Sequence, residues 1–143
     1  METPEISTLF KSIERDKDKR GSILSIVDTQ VRNVSIITCN ANVLRSNHYH
    51  KKDFHFMYVL HGEIDYFFKN IDSKIITYFK VSEGDIIFTP ANEIHATFFP
   101  IETKLIVSSF LPRDQKTYEE DTVRVDFINN KNINSMIEKH AKN

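Results

Sequence analysis

Half of the six histidines in this chain, His48, His50 and His55, fall within eight consecutive positions, and His95 stands in a second turn-rich stretch. Side chains separated by one residue share a face of an extended strand, so His48 and His50 can point at one place. His55 follows the polar break Lys51-Lys52-Asp53 and can return to that place from the next strand. Convergent imidazoles suit two kinds of chemistry: binding a divalent transition metal, or moving a proton near neutral pH.

The elements that must aim these side chains are short strands. Ser22 to Val27, Val31 to Cys39, Phe54 to His61, Ile64 to Phe68, Lys74 to Val81, Ile86 to Phe88, His95 to Phe99 and Lys104 to Phe110 read as strands, with an extra one expected within Ile6 to Phe10. Asn40-Ala41-Asn42, Asn70 to Ser73 and Ser82 to Asp85 supply turn chemistry between them, and Pro90 ends a strand. By composition alone, Glu14 to Gly21 reads as a solvated turn. Turns at intervals of roughly ten residues predict an all-β sandwich or barrel. Ile133, Met136, Ile137 and His140 recur at helical spacing and predict one short helix over about 132–142, outside the barrel, with Asn or Ser as its cap.

Composition narrows the class. A chain of 143 residues, 40% hydrophobic and 27% charged, fits a single domain over 1–143 with a core over about 20–112. Eleven Phe and five Tyr against three Gly and no Trp favour sheet. A net charge of −1 offers no footprint for nucleic acid. Cys39 is the only cysteine, which excludes an intrachain disulfide and is compatible with a reducing compartment. No apolar run approaches the roughly 18 residues of a membrane helix, and the start lacks the pattern of a signal peptide, so a cytoplasmic protein is expected.

The spacings resemble the two motifs of the cupin family. His48-x-His50, four residues, His55, six residues, Gly62 is similar to the first motif, with His55 in place of its Glu. Gly84, Pro90, Asn92 and His95 occupy the places of the second, with Asn92 where that motif has glycine, a tolerable change if positive φ is wanted. The resemblance spans about residues 44–110. It implies a jelly-roll barrel, and it implies that His48, His50, His55 and His95 bind one divalent ion (iron, manganese, nickel, copper or zinc) inside it. Such an ion polarises a carbonyl or activates water.

A second resemblance is to the nucleotide-sugar 3,4-ketoisomerases, small cupins of deoxysugar synthesis. Arg45-Ser46-Asn47-His48-Tyr49-His50-Lys51 is similar to their Arg-Gly-Gly-His-x-His-Lys segment. Asp18-x-Arg20-Gly21 matches an Asp-x-Arg-Gly found there and in the deoxysugar 3,5-epimerases, and Tyr118 to Phe127 resembles the ketoisomerases' C-terminal segment. This implies an isomerase or epimerase of a keto-sugar nucleotide in polysaccharide or glycoconjugate synthesis. His48 and His50 would be the acid–base pair, Arg20 and Arg45 would hold the diphosphate by paired hydrogen bonds, and Tyr58 would be a further substrate contact. Tyr49, alternating with the histidines, should face away. His55 and His95 depart from those isomerases, which usually lack both and work without metal.

Other readings are a metal-dependent cupin of another reaction type, a dioxygenase or lyase, and a non-catalytic sugar-binding cupin. A single C-terminal helix leaves no room for a DNA-binding domain. A homodimer paired through sheet edges is expected, because an exposed edge needs covering.

Overall fold

The computed structural model describes residues 3–141. Positions 1, 2, 142 and 143 of the expected domain, 142 being also the end of the expected helix, lie outside the described residues. Two five-stranded antiparallel sheets face each other. The first runs β1 (Thr8–Lys11), β9 (Asp85–Thr89), β6 (His55–His61), β11 (Thr103–Ser109) and β4 (Asn33–Cys39). The second runs β12 (Thr122–Arg124), β5 (Val43–His50), β10 (Glu93–Phe99), β7 (Glu63–Asn70) and β8 (Thr77–Ser82). This is the all-β cupin barrel that the two motifs imply.

Period-two alternation builds the core from both sheets. Met57, Val59, Leu105 and Val107 from the first sheet meet Ile64, Tyr66, Phe68, Val81 and Phe99 from the second. The outward residues of the second sheet, Phe67 and Ala96, lie under Ile128 and helix α2 (Ile133–Ala141), whose Ile133, Met136 and Ile137 face them as the helical spacing predicts. Outward residues of the first sheet, Phe56, Ile86 and Phe88, are covered by Phe10, Ile26, Val27 and Tyr58.

Two features differ from the sequence expectations. Glu14 to Gly21, expected as a turn, holds most of strand β2 (Ile13–Asp18) and the turn into β3 (Gly21–Ser25), a hairpin whose charged residues remain in solvent and whose second strand falls where the Ser22 to Val27 strand is expected. A charge-rich strand such as β2, with no buried face, carries no apolar alternation, so composition reads it as a turn. The second is a short helix, α1 (Gln115–Asp121), followed by β12. There are thus two helices among the described residues, and the expectation of one is corrected. Asp114 caps α1 by accepting from the Thr117 N–H at 3.0 Å. A helix of two turns is too short to display a period, which is why its sequence is silent.

The turns behave as their chemistry requires. Asn42 and Asn92 both adopt positive φ, 63° and 61°. Asn92 therefore does the work of the glycine it replaces, and its N–H donates to the His50 carbonyl at 2.7 Å. Gly62, at φ 98°, has no room for a Cβ, which would collide with the Thr103 side chain and the Glu102 carbonyl.

Candidate functional site

Strands β5, β6 and β10 deliver the four histidines to one end of the barrel interior. His48 lies opposite His95 in the β5–β10 register, and His55 opens β6 in the facing sheet. Ring centroids are 4.6 Å apart for His48 and His50, 4.7 Å for His48 and His95, 5.6 Å for His50 and His55, and 5.4 Å for His55 and His95. All four are buried, His48 least so at 8% exposure.

An irregularity in β5 makes this convergence fit the rest of the strand. Val43 packs into the barrel core and Leu44 against the outer cluster, so odd positions face inward at the start of β5. Arg45 follows that parity into the cavity, yet His48 and His50 also enter it. The parity reverses at a bulge: Ser46 pairs with Ala96 and His48 with His95, leaving Asn47 without an opposite residue. Ser46 and Asn47 both lie at positive φ, 70° and 58°, at a cost on the order of 1–2 kcal/mol for each such residue. They occupy the two glycine places of the ketoisomerase-like segment. Tyr49, as expected, is not among the cavity-lining residues.

The imidazoles are held neutral. Burial, then the neighbouring imidazoles and the cations Arg124 and Arg113, lowers His48 to about 2. Burial first and Arg113 second bring His50 to about 4. Burial and His50 bring His95 to about 3, and His55 is lowered well below its ordinary value by burial and its neighbours.

Hydrogen bonds then select tautomers. His95 Nδ1 lies 3.2 Å from the Glu93 carbonyl, which only accepts, so this nitrogen carries the proton. The Thr122 hydroxyl donates to the Tyr118 carbonyl at 2.6 Å, and its lone pair faces His50 Nδ1 at 3.4 Å, with Asp121 Oδ2 at 3.5 Å. The Nε2 atoms of His50 and His95 are left as bare lone pairs. Both, together with His55 Nδ1, are buried without a hydrogen-bond partner. Buried polar atoms are rarely left so, and lone pairs aimed into a common space are what a borderline metal ion requires. Potential ligand atoms of His48, His50 and His95 lie within 4.8 Å of one another, as do those of His50, Asp53 and His55. The residues present fit a divalent ion.

The family model described as polysaccharide biosynthesis C-terminal domain matches residues 16–122. The chain belongs to that family. Among curated proteins none matches this polysaccharide biosynthesis domain. Solved structures do. A sugar 3,4-ketoisomerase from Thermoanaerobacterium thermosaccharolyticum in complex with TDP superposes with TM-score 0.67 at 19% identity, covering 98% of both chains. A 3,4-ketoisomerase from Helicobacter canadensis gives 0.68 at 14% identity, over 82% of this chain and 90% of its own. A 3,5-epimerase from Legionella pneumophila, in complex with dTDP-4-keto-L-rhamnose, gives 0.67 at 12%, over 85% and 73%. At these identities the likeness is one of fold.

Of the residues that sequence singles out, this polysaccharide biosynthesis domain brings together His48, His50, His55, His95 and Arg45 around a cavity of about 70 Å³. It does not bring in Tyr58, which alternates with the inward His55 and Met57 and packs on the outer face of the sheet. Nor does it bring in Arg20, whose guanidinium stays on its own hairpin, 2.6 Å from the Asp18 carboxylate. The expectation for Tyr58 is corrected outright; that for Arg20 does not hold within one chain.

The fold adds residues that sequence reasoning missed. Arg113 lines the cavity, lies 5.5 Å over the Tyr118 ring and has a buried Nε without a partner. Tyr118 projects from α1 to 5.7 Å from the His50 ring. Asp121 accepts from the N–H groups of Lys52 and Asp53, which pins the break between β5 and β6. Asp53 is buried beside it, accepts from the Leu111 N–H at 2.8 Å and is pushed up to about 6 by burial. The one sequence signal here is the resemblance of Tyr118 to Phe127 to the ketoisomerases' C-terminal segment, which assigns no role; the contacts follow from where α1 packs.

Proposed function

We propose that this chain is an isomerase or epimerase acting on a keto-sugar nucleotide for polysaccharide or glycoconjugate synthesis. The observation that carries the reading is the pairing, in one cavity, of four neutral imidazoles with two arginines, Arg45 and Arg113, that form no close ion pair among the described residues. Arg45 lies 3.9 Å from the Cys39 sulfur, and Arg113 lies over the Tyr118 ring and near enough to Asp53 to favour its ionised form. Cations not held in close ion pairs suit the substrate's anionic diphosphate and the negative charge that develops beside it. Membership of a polysaccharide biosynthesis family and a barrel shared with sugar-nucleotide enzymes support the same substrate class.

Proton transfer and metal binding compete for the same lone pairs, and burial divides them. His50, His55 and His95, each with an orphaned nitrogen, would hold a divalent ion, with His48 able to complete the set. The ion would supply Lewis-acid polarisation of the substrate carbonyl. His48, the most exposed of the four, would take a proton from the carbon next to the ketone. His50, the other member of the expected pair, would pass to the neighbouring carbon a proton first taken up from solvent at its Nε2, where no ion holds that atom, and His48 would release to solvent the proton it took. A negatively charged enolate beside His48 raises its affinity for the proton, so a base that is neutral in the empty site becomes an effective partner. Thr122 and Asp121 keep His50 turned toward the cavity.

Incubation with 4-keto-6-deoxy sugar nucleotides in deuterated water tests this. Deuterium is expected at a ring carbon adjacent to the ketone; its absence with every keto-sugar nucleotide tried would sink the proposal. Elemental analysis of the same preparation, purified without chelator, reads the ion, and full activity in metal-free protein would remove it from the mechanism.

The same reading includes a homodimer. Strand β4 is an outer strand of its sheet, and its Val34 and Ile36 are 62% and 68% exposed. The β2–β3 hairpin exposes Ile13, Ile23 and Leu24. An open edge and apolar faces of this kind call for a cover, and a second copy supplies one by symmetry. Arg20, remote from its own cavity, would then be free to approach the neighbour's. Sedimentation at micromolar concentration should give twice the chain mass, and a monomer there would contradict the assignment.

A further inference from the structure

We infer that Asn47 is a positioning residue that ties the C-terminal segment to the bulge carrying His48, so that this imidazole reaches the cluster only while residues 125–128 are docked. Three bonds make the tie. The Asn47 carbonyl accepts from the Val125 N–H at 2.8 Å, and its side-chain Oδ1 accepts from the N–H groups of Phe127 at 3.3 Å and Ile128 at 3.0 Å. The far end of the segment is anchored, because Ile128 is 1% exposed among Phe67, Ala96 and Ile133.

The bulge needs such a restraint. Ser46 and Asn47 sit in consecutive left-handed conformations that L residues leave when nothing holds them, and Asn47 has no ladder partner on β10. Relaxing the bulge restores strand parity, and parity decides which face His48 occupies. A glycine would satisfy the backbone alone. Asparagine adds an acceptor that two consecutive N–H groups of the tail find, groups that would otherwise lack a bond beside an apolar cluster. His55, on the opposite sheet, does not depend on this bulge.

The test uses the full chain labelled with ¹⁵N in the imidazoles, with amide hydrogen exchange measured in parallel. Asn47→Gly keeps the conformation and removes the acceptor. It should raise exchange at Phe127 and Ile128 at least tenfold and shift the His48 ring signals while those of His55 stay in place. Asn47→Asp, which keeps an accepting oxygen, should rescue both readouts, and Ser46→Gly should resemble the parent. Unchanged exchange and unchanged His48 signals in Asn47→Gly would overturn the inference. So would Asn47→Asp behaving like Asn47→Gly. Should Asn47→Gly not fold, Ile128→Ala carries the test: it loosens the anchor without changing any residue of β5, and faster exchange with an unmoved His48 would be equally fatal.

Discussion

Replacing His48 with alanine is expected to slow deuterium incorporation into a keto-sugar nucleotide by about 10²–10⁴-fold, the range that a positioned general acid–base group supplies. The expectation rests on where the four rings stand. His50 and His95 have their Nδ1 positions committed to Thr122 and to the Glu93 carbonyl, and their Nε2 atoms are enclosed. His48 has no orphaned nitrogen and retains the most surface of the four. On the proposed reading Arg45 and Arg113 would hold the substrate, so KM should move only a few-fold while kcat collapses. His61→Ala is the control. That residue lies 3.2 Å from Glu83 in solvent, outside the cavity, and its loss should leave the rate within twofold. A rate within threefold of the parent for His48→Ala would remove this residue from the chemistry.

The second large effect is on stability. His50 is held at about 4 in the folded chain, by burial first and Arg113 second, whereas an unfolded histidine titrates near 6.5. Between those values the unfolded chain binds the extra proton, so stability rises with pH and is lost as pH falls below about 6.5. For His50 alone the loss by pH 4 is on the order of 3 kcal/mol. His48, His55 and His95 are shifted in the same direction and act in the same window. Asp53 works against them. Burial raises its carboxyl to about 6, so the folded chain gains relative stability as that group protonates on acidification. Glu93, also raised by burial, acts in the same sense as Asp53, but four imidazoles outweigh two carboxyls, so the net effect is a loss of stability on acidification. Thermal melts of chelator-treated protein should therefore show a steep fall in Tm between pH 7 and pH 5. A flat profile across that interval would mean that the four rings are not buried together.

The polysaccharide biosynthesis domain also shows where local pattern stops being informative. Alternation placed most strands of both sheets within a few residues, because each has one face on the barrel core and the other in contrast with it. Strand β2 escapes because neither of its faces is buried, and α1 because two turns cannot display a helical period. Tyr58 was misplaced for a different reason. Its residue type suited a sugar site, but His55 and Met57 on either side of the intervening residues claim the inward face, and only a known direction for β6 reveals that.

By itself, the sequence determined that the histidines recur at strand spacing, that turns of the right chemistry separate them, and that Asn92 can stand where glycine would. Those are short-range matters of backbone geometry and residue type. Tertiary structure alone decided what surrounds the rings. The bulge at Ser46 and Asn47 reverses the parity of β5, so that Arg45 and His48 share a face that regular alternation denies them. Arg113, Tyr118 and Asp121 arrive from a segment more than fifty residues downstream. The neutrality of the imidazoles and the vacant lone pairs on His50, His55 and His95 follow from burial and from hydrogen bonds across strands. Desolvation and long-range contacts are properties of the folded chain, and no spacing along β5 encodes them.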